Sequence, residues 1–225
     1  MNKNNNLRLA LMSYLTSNIY YFLISNILFY LSIALSGIWL IVVTPNLMNI
    51  VVIGLMFPGF AALVSCGVKY KESKNKTAFK VLKTFIEGYK KNFKDTIKYC
   101  FIYTVIIFVV IFNINYYGSD MPMFMIIALI VLTTLSTLIL TYMMLIATKF
   151  QFRTKDLLKV SVYCILMHLK ITIKIFIIYV ILFFAYPWVG IFTMFLFISP
   201  IVYLIIYFAF PVLEDVYKVF VEKTE

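Results

Sequence analysis

The sequence predicts an all-α polytopic membrane helical bundle of about six transmembrane helices, with amphipathic helices on its cytoplasmic surface and both termini in the cytoplasm. Three observations carry that expectation. Of 225 residues, 64% are hydrophobic and only 13% are charged, about half the charged share of a soluble globular domain. The charges are clustered, leaving long uncharged tracts at 9–68, 175–213 and, with Asp120 as the sole exception, 99–148. The lysines and arginines fall in four groups, all on one side of the resulting topology. A soluble domain and a disordered chain are both excluded by this composition.

Each tract is long enough for two spans of roughly 20 residues, and each contains a turn signal: Thr44-Pro45-Asn46, Tyr116 to Asp120, and Pro187-Trp188-Val189-Gly190. The chain, residues 1–225, reads as a single integral membrane domain with spans at about 18–43, 48–68, 97–115, 121–148, 166–186 and 190–210. Lys3 and Arg8, the ten lysines from Lys69 to Lys98, the six basic residues from Lys149 to Lys174, and Lys218 with Lys223 all lie on the side of both termini. The positive-inside rule makes that side cytoplasmic. Trp39, Tyr116, Tyr117, Tyr186 and Trp188 map to the opposite interface as an aromatic belt. The expected location is therefore the cell membrane, multi-pass. The net charge of +11 is read as topology-setting lysine in contact with anionic lipid, and no nucleic-acid partner is expected.

Between the second and third spans, Ala78, Val81, Leu82, Phe85, Ile86 and Tyr89 recur at spacings of three and four with lysines between them. This predicts an interfacial amphipathic helix over about 77–92. Two readings of it stand: a lipid-anchored connector, or a docking helix for a partner. Asp156 to Lys170 reads as a more apolar counterpart. The register supports a repeat at an offset of 76: Lys94, Thr96-Ile97-Lys98, Ile102 and Tyr103 recur as Lys170, Thr172-Ile173-Lys174, Ile178 and Tyr179. Each unit would run span, surface helix, span.

Pro58-Gly59 and Ser199-Pro200 interrupt two spans, and helix kinks are expected at Pro58, Gly59 and Pro200. Thr133, Thr137 and Thr141 share one face of the fourth span as a polar stripe. Such a stripe lines a polar path or, more commonly, a close helix–helix seam.

Catalytic chemistry is not expected. No Asp or Glu lies inside a predicted span, and His168 sits near the cytoplasmic interface, twelve residues from Asp156. Cys66, Cys100 and Cys164 form no CxxC pair and read as reduced, packed thiols. With one histidine and no paired cysteines, no zinc set is complete. No cofactor, metal or catalytic residue is expected.

Pro58-Gly59-Phe60-Ala61-Ala62-Leu63 leads through a basic loop to Phe85-Ile86-Glu87-Gly88-Tyr89-Lys90-Lys91-Asn92-Phe93-Lys94. Together with Asn26-Ile27-Leu28-Phe29, this resembles the YesL-like family of bacterial membrane proteins. Pro58 with Ala61 stands for the family's Pro-x-x-Ala segment, and Phe85, Tyr89, Lys90, Asn92 and Phe93 for its aromatic, basic stretch. The interval from Asn26 to Pro58 is longer than the family pattern. The resemblance implies a non-enzymatic accessory membrane protein that associates with the permeases of a carbohydrate ABC importer and supports sugar uptake. Lysine, asparagine and isoleucine richness fits a Gram-positive source. The candidate partner-docking residues are Lys83, Phe85, Tyr89, Lys90, Lys91, Asn92 and Phe93. The alternative is a stand-alone small-solute carrier or channel built on the kinks and the threonine stripe.

Overall fold

The computed structural model describes residues 19–34, 36, 38, 48–72 and 77–221. Every element among them is helical. In chain order they are α1 (Ile19–Ala34), α2 (Met48–Glu72), α3 (Ala78–Tyr117), a single 3-10 turn (Gly118–Asp120), α4 (Met123–Lys149), α5 (Thr154–Met167) and α6 (Leu169–Val216), with a short π-helical turn at Tyr217–Val221. Four helical segments are long and apolar enough to cross a membrane, or five if α5 and the start of α6 form one bent span; α1 is a shorter apolar helix. The chain is therefore a multi-pass helical membrane protein. The turn expected at Thr44-Pro45-Asn46 lies outside the described residues.

The second predicted turn is present. Gly118 closes α3 with φ +52°, a conformation that costs glycine nothing and a branched residue much. Asp120 and Met121 follow, and Pro122 opens α4 in extended conformation.

α3 departs from expectation. The interfacial helix at 77–92 and the span at 97–115 are one continuous helix of 40 residues. The rise in charge from Lys90 to Lys98 looked like a boundary, but it contains no proline, and a helix backbone is indifferent to whether its outer face is wet or oily. Val81, Thr84, Phe85, Gly88, Asn92, Thr96 and Tyr99 are all buried and keep one helical face through the junction. At 1.5 Å per residue the helix is about 60 Å long, twice the hydrocarbon thickness of about 30 Å. Tilts of about 0–40° do not absorb that excess, so roughly the basic half stands outside the apolar layer.

α6 carries the reverse lesson. It runs from Leu169 to Val216 but is not one straight rod, because His168 at its start lies 3.1 Å from Asp215 at its end. Lys174 sits 5.2 Å from the ring centroid of Phe208, and Leu182 and Ile198 line one cavity. The chain therefore reverses direction between Ala185 and Phe197. We call Leu169–Ala185 the outgoing arm and Phe197–Phe220 the returning arm. The second amphipathic helix is α5, and it meets the outgoing arm at His168 with a bend of 96°.

Two cores follow from this path. α1, α2 and the start of α3 enclose Tyr21, Phe29, Ala62, Leu63, Cys66, Tyr70, Val81 and Phe85. α4, α5 and both arms of α6 enclose Leu138, Tyr142, Leu145, Ile146, Leu157, Cys164, Ile175, Ile206 and Leu213. All three cysteines are free and buried. At one end of the bundle Lys149 pairs with Glu72 at 2.9 Å, and Lys71 donates to the Tyr207 carbonyl at 3.1 Å. This basic end joins the last turns of α2 and α4 to the middle of the returning arm.

Candidate functional site

The residues singled out in the sequence fall on two opposite faces of α3. The inner face packs antiparallel on α2. Cys66 Sγ donates weakly to the Val81 carbonyl at 3.8 Å, and Phe57 stands edge-on to Tyr103 with centroids 5.7 Å apart. Between them the helices touch through small residues. A Cβ placed on Gly88 would lie 2.8 Å from Ser65 Cβ and 3.5 Å from Ala62 Cα, so glycine is what admits the approach. One turn on, Asn92 Nδ2 donates to Ser65 Oγ at 3.4 Å, and that hydroxyl donates to the Ala61 carbonyl at 2.9 Å.

α1 locks the other side of α2. Tyr21 OH donates to the Cys66 carbonyl, and a Cβ on Gly59 would strike Ser32 Oγ. Asn26 Oδ1 accepts the Ser199 amide at 2.9 Å, joining α1 to the returning arm beside Pro200. α2 is helical through Pro58 and Gly59, and the returning arm through Pro200. Pro58 and Gly59 are both buried, Gly59 against Ser32 of α1.

These placements divide the proposed docking set. Phe85 and Asn92 are 4% and 8% exposed and are occupied inside the chain, which corrects their assignment to a docking face. Their spacing from Gly88 places them on the face that α2 covers. Tyr89 and Phe93 are half-buried, their rings tilted against each other with centroids 5.5 Å apart. Lys83 and Lys90 are exposed on the outer face. Beside them runs a second apolar stripe: Phe79, Leu82 and Ile86 are exposed, Phe79 by 75%. Lys83 and Lys69 both approach Glu87, at 4.0 and 3.2 Å, in exposed pairs worth about 0–1 kcal/mol each. Lys91 belongs to neither face. It lines a cleft of about 490 Å³ between α3 and the α4–α5 junction.

The threonine stripe is a seam. Thr133, Thr137 and Thr141 each donate to the carbonyl four residues back, at 2.7–2.8 Å. Thr137 also meets Tyr103 OH on α3 at 3.1 Å, and Thr141 meets Tyr179 OH on the outgoing arm at 2.6 Å. Tyr103 and Tyr179 are the pair that the 76-residue register aligns. They clasp α4 one turn apart, and Tyr142 adds a bond to Thr172 at 2.9 Å. The cavity beside this seam, about 290 Å³, is walled by Phe60, Val64, Leu145, Ile201, Ile205 and other apolar groups, with the bonded Thr141–Tyr179 pair as its polar feature.

Sequence reasoning missed the tyrosine clasp, although Tyr103 and Tyr179 already stood in the repeat. It also missed Gly88 as the contact point and Arg153 as part of a cleft, for which no local pattern gives a signal.

No curated protein and no solved structure matches the chain. A family model described as "Protein of unknown function, DUF624" matches residues 16–114, which span the α1–α2–α3 core, the Pro58-x-x-Ala61 segment and the Phe85 to Phe93 stretch. Over that N-terminal part, under half of its length, the chain is similar to the YesL-like family of membrane proteins of unknown function.

Proposed function

We propose that the protein is a non-enzymatic accessory subunit that uses the outer face of α3 to hold a membrane-protein partner, with the permeases of a carbohydrate ABC importer as the partner that the family resemblance implies. The observation carrying this reading is the two-faced character of α3. Its inner face is filled by α2, so the helix needs no further burial to be stable. Its outer face still presents Phe79, Leu82 and Ile86 beside Lys83 and Lys90, on the half that length places beyond the hydrocarbon. By the positive-inside rule this half is cytoplasmic. An apolar stripe edged by cations suits a partner helix with an acidic rim.

The test is mild detergent extraction from native membranes, affinity capture and mass spectrometry. Importer permeases should be recovered in stoichiometric yield. Lys83→Glu with Lys90→Glu should lower that recovery about tenfold, since like charge set against a complementary surface costs several kcal/mol, while the chain remains inserted and monodisperse. Undiminished recovery with the double variant, or recovery of the protein alone under conditions where other complexes survive, contradicts the proposal.

A further inference from the structure

Beyond partner docking, the structure contains a built amphipathic recess on the opposite flank of α3. The upper part is the 490 Å³ cleft, lined by Lys91, Lys98, Arg153 and Asp95 together with the start of α5. Lys98 lies 3.3 Å from Asp95, so the one carboxylate of the lining is offset by a cation beside it. Among the described residues no ion pair engages Lys91, Arg153 or Lys155. α5 begins at Thr154 with no side-chain cap, and its free first-turn amides add partial positive charge there. Asp156 in that turn is exposed and stands outside the lining.

The lower part is a separate groove of about 180 Å³ between α3 and α4, walled by Ile102, Ile106, Ile139, Leu140 and Met143 and half open to the outside, with Lys155 among its lining residues. Tyr99 and Thr154 line both spaces, so the cationic cleft and the apolar groove adjoin. From Tyr99 to Ile106 the groove follows α3 for about 10 Å toward the apolar half of the helix.

We infer that this recess binds one anionic phospholipid, its phosphate between Lys91, Arg153 and Lys155 and part of one acyl chain in the groove along Ile102 and Ile106. Charge selects the headgroup. The open groups are cations, and the lining carboxylate is offset by Lys98, so a phosphate is matched while a choline or ethanolamine ammonium finds no counter-ion. The groove selects a lipid over a free phosphate. Non-specific attraction of lysines to an anionic leaflet would act equally at exposed lysines elsewhere, and that difference makes the site testable.

The experiment is native mass spectrometry of the full chain released from nanodiscs made of phosphatidylglycerol and phosphatidylcholine in equal amounts. Wild type should retain one phosphatidylglycerol. Lys91→Gln with Arg153→Gln should reduce that retention about thirtyfold, the scale of two basic residues near an anionic surface. Lys159→Gln with Lys170→Gln, which removes the same charge from exposed positions outside the recess, should leave it unchanged. Ile106→Trp, filling the groove, should also expel the lipid while the protein stays monodisperse. Equal retention of the two lipids, or equal loss in the Lys159/Lys170 control, overturns the inference. The docking variants share no residue with the recess variants, so the two proposals fail separately.

Discussion

The molecule contains the same register twice, in α2–α3 and in α4–α5–α6, and the two copies are built differently. Position 92 and position 168 are equivalent at the 76-residue offset. At Asn92 the helix runs on without interruption. At His168 it stops with φ −111°, ψ 45° and turns by 96°. Gly88 and Asn92 let α2 lie flat along α3 through Ala62 and Ser65. Their counterparts are Cys164 and His168, and there the returning arm arrives instead, its Asp215 meeting the imidazole at 3.1 Å. Beyond the difference the copies reconverge: Thr96 and Thr172 are both buried, and Tyr103 and Tyr179 both bond to α4. A shared pattern of residues thus fixes which side chains meet the central helix. Neighbouring small residues and an incoming arm decide whether the helix bearing them is straight or broken.

The sharpest way to break this comparison is an inserted residue. One alanine after Asn92 turns the rest of α3 by about 100° and carries Thr96, Tyr99, Cys100 and Tyr103 out of their contacts. Each displaced buried side chain costs about 0.5–3 kcal/mol, so loss of the folded state in detergent is expected. One glycine after His168 falls where the helix is already interrupted and should cost under about 1 kcal/mol, as short-loop extension does. Thermal unfolding followed by circular dichroism compares the two directly.

Gly88→Leu is the next largest effect. Its side chain meets Ser65 and the Ala62 backbone with no flexible neighbour to yield, an overpacking cost of about 1–3 kcal/mol that should appear as a lower unfolding temperature. Smallest are Tyr103→Phe and Tyr179→Phe. Each removes one interhelical hydrogen bond, worth about 0.6 kcal/mol within a membrane protein. Near-equal losses in unfolding experiments would bear out the equivalence of the two units, whereas a loss confined to one of them would reduce the register to chance.

Much of this fold was legible in the sequence. Apolar tracts cut by turn signals carried the helices around Gly118 and the pairing of two antiparallel arms in the last tract, and the offset of 76 places Tyr103 and Tyr179 in register. The threonine stripe was legible as a packing seam because hydroxyls at i, i+4 and i+8 can satisfy themselves on their own backbone. Continuity of α3 was not legible, since Lys90 to Lys98 changes polarity without changing backbone preference. Nor was the division of labour on that helix. Phe85, Tyr89, Lys90 and Asn92 form one short motif in sequence, but at 100° per residue they point to different neighbours, and only the position of α2 decides which of them remain outside. The recess at Lys91 and Arg153 joins residues from α3 and the start of α5, a juxtaposition that no linear spacing announces.

One register adopts two geometries, and a pair of distances distinguishes them. On a cysteine-free background, spin labels at positions 79 and 109 span 30 residues of α3, and labels at 155 and 185 span the equivalent 30 residues across His168. A continuous helix gives about 45 Å for the first pair. The 96° bend, with the same rise per residue on either side, gives about 30 Å for the second. Pulsed electron paramagnetic resonance in nanodiscs should resolve the two distributions with that separation. Equal distances in the two units would contradict the account, removing both the straight helix that presents the outer stripe and the break that sets α5 across the recess.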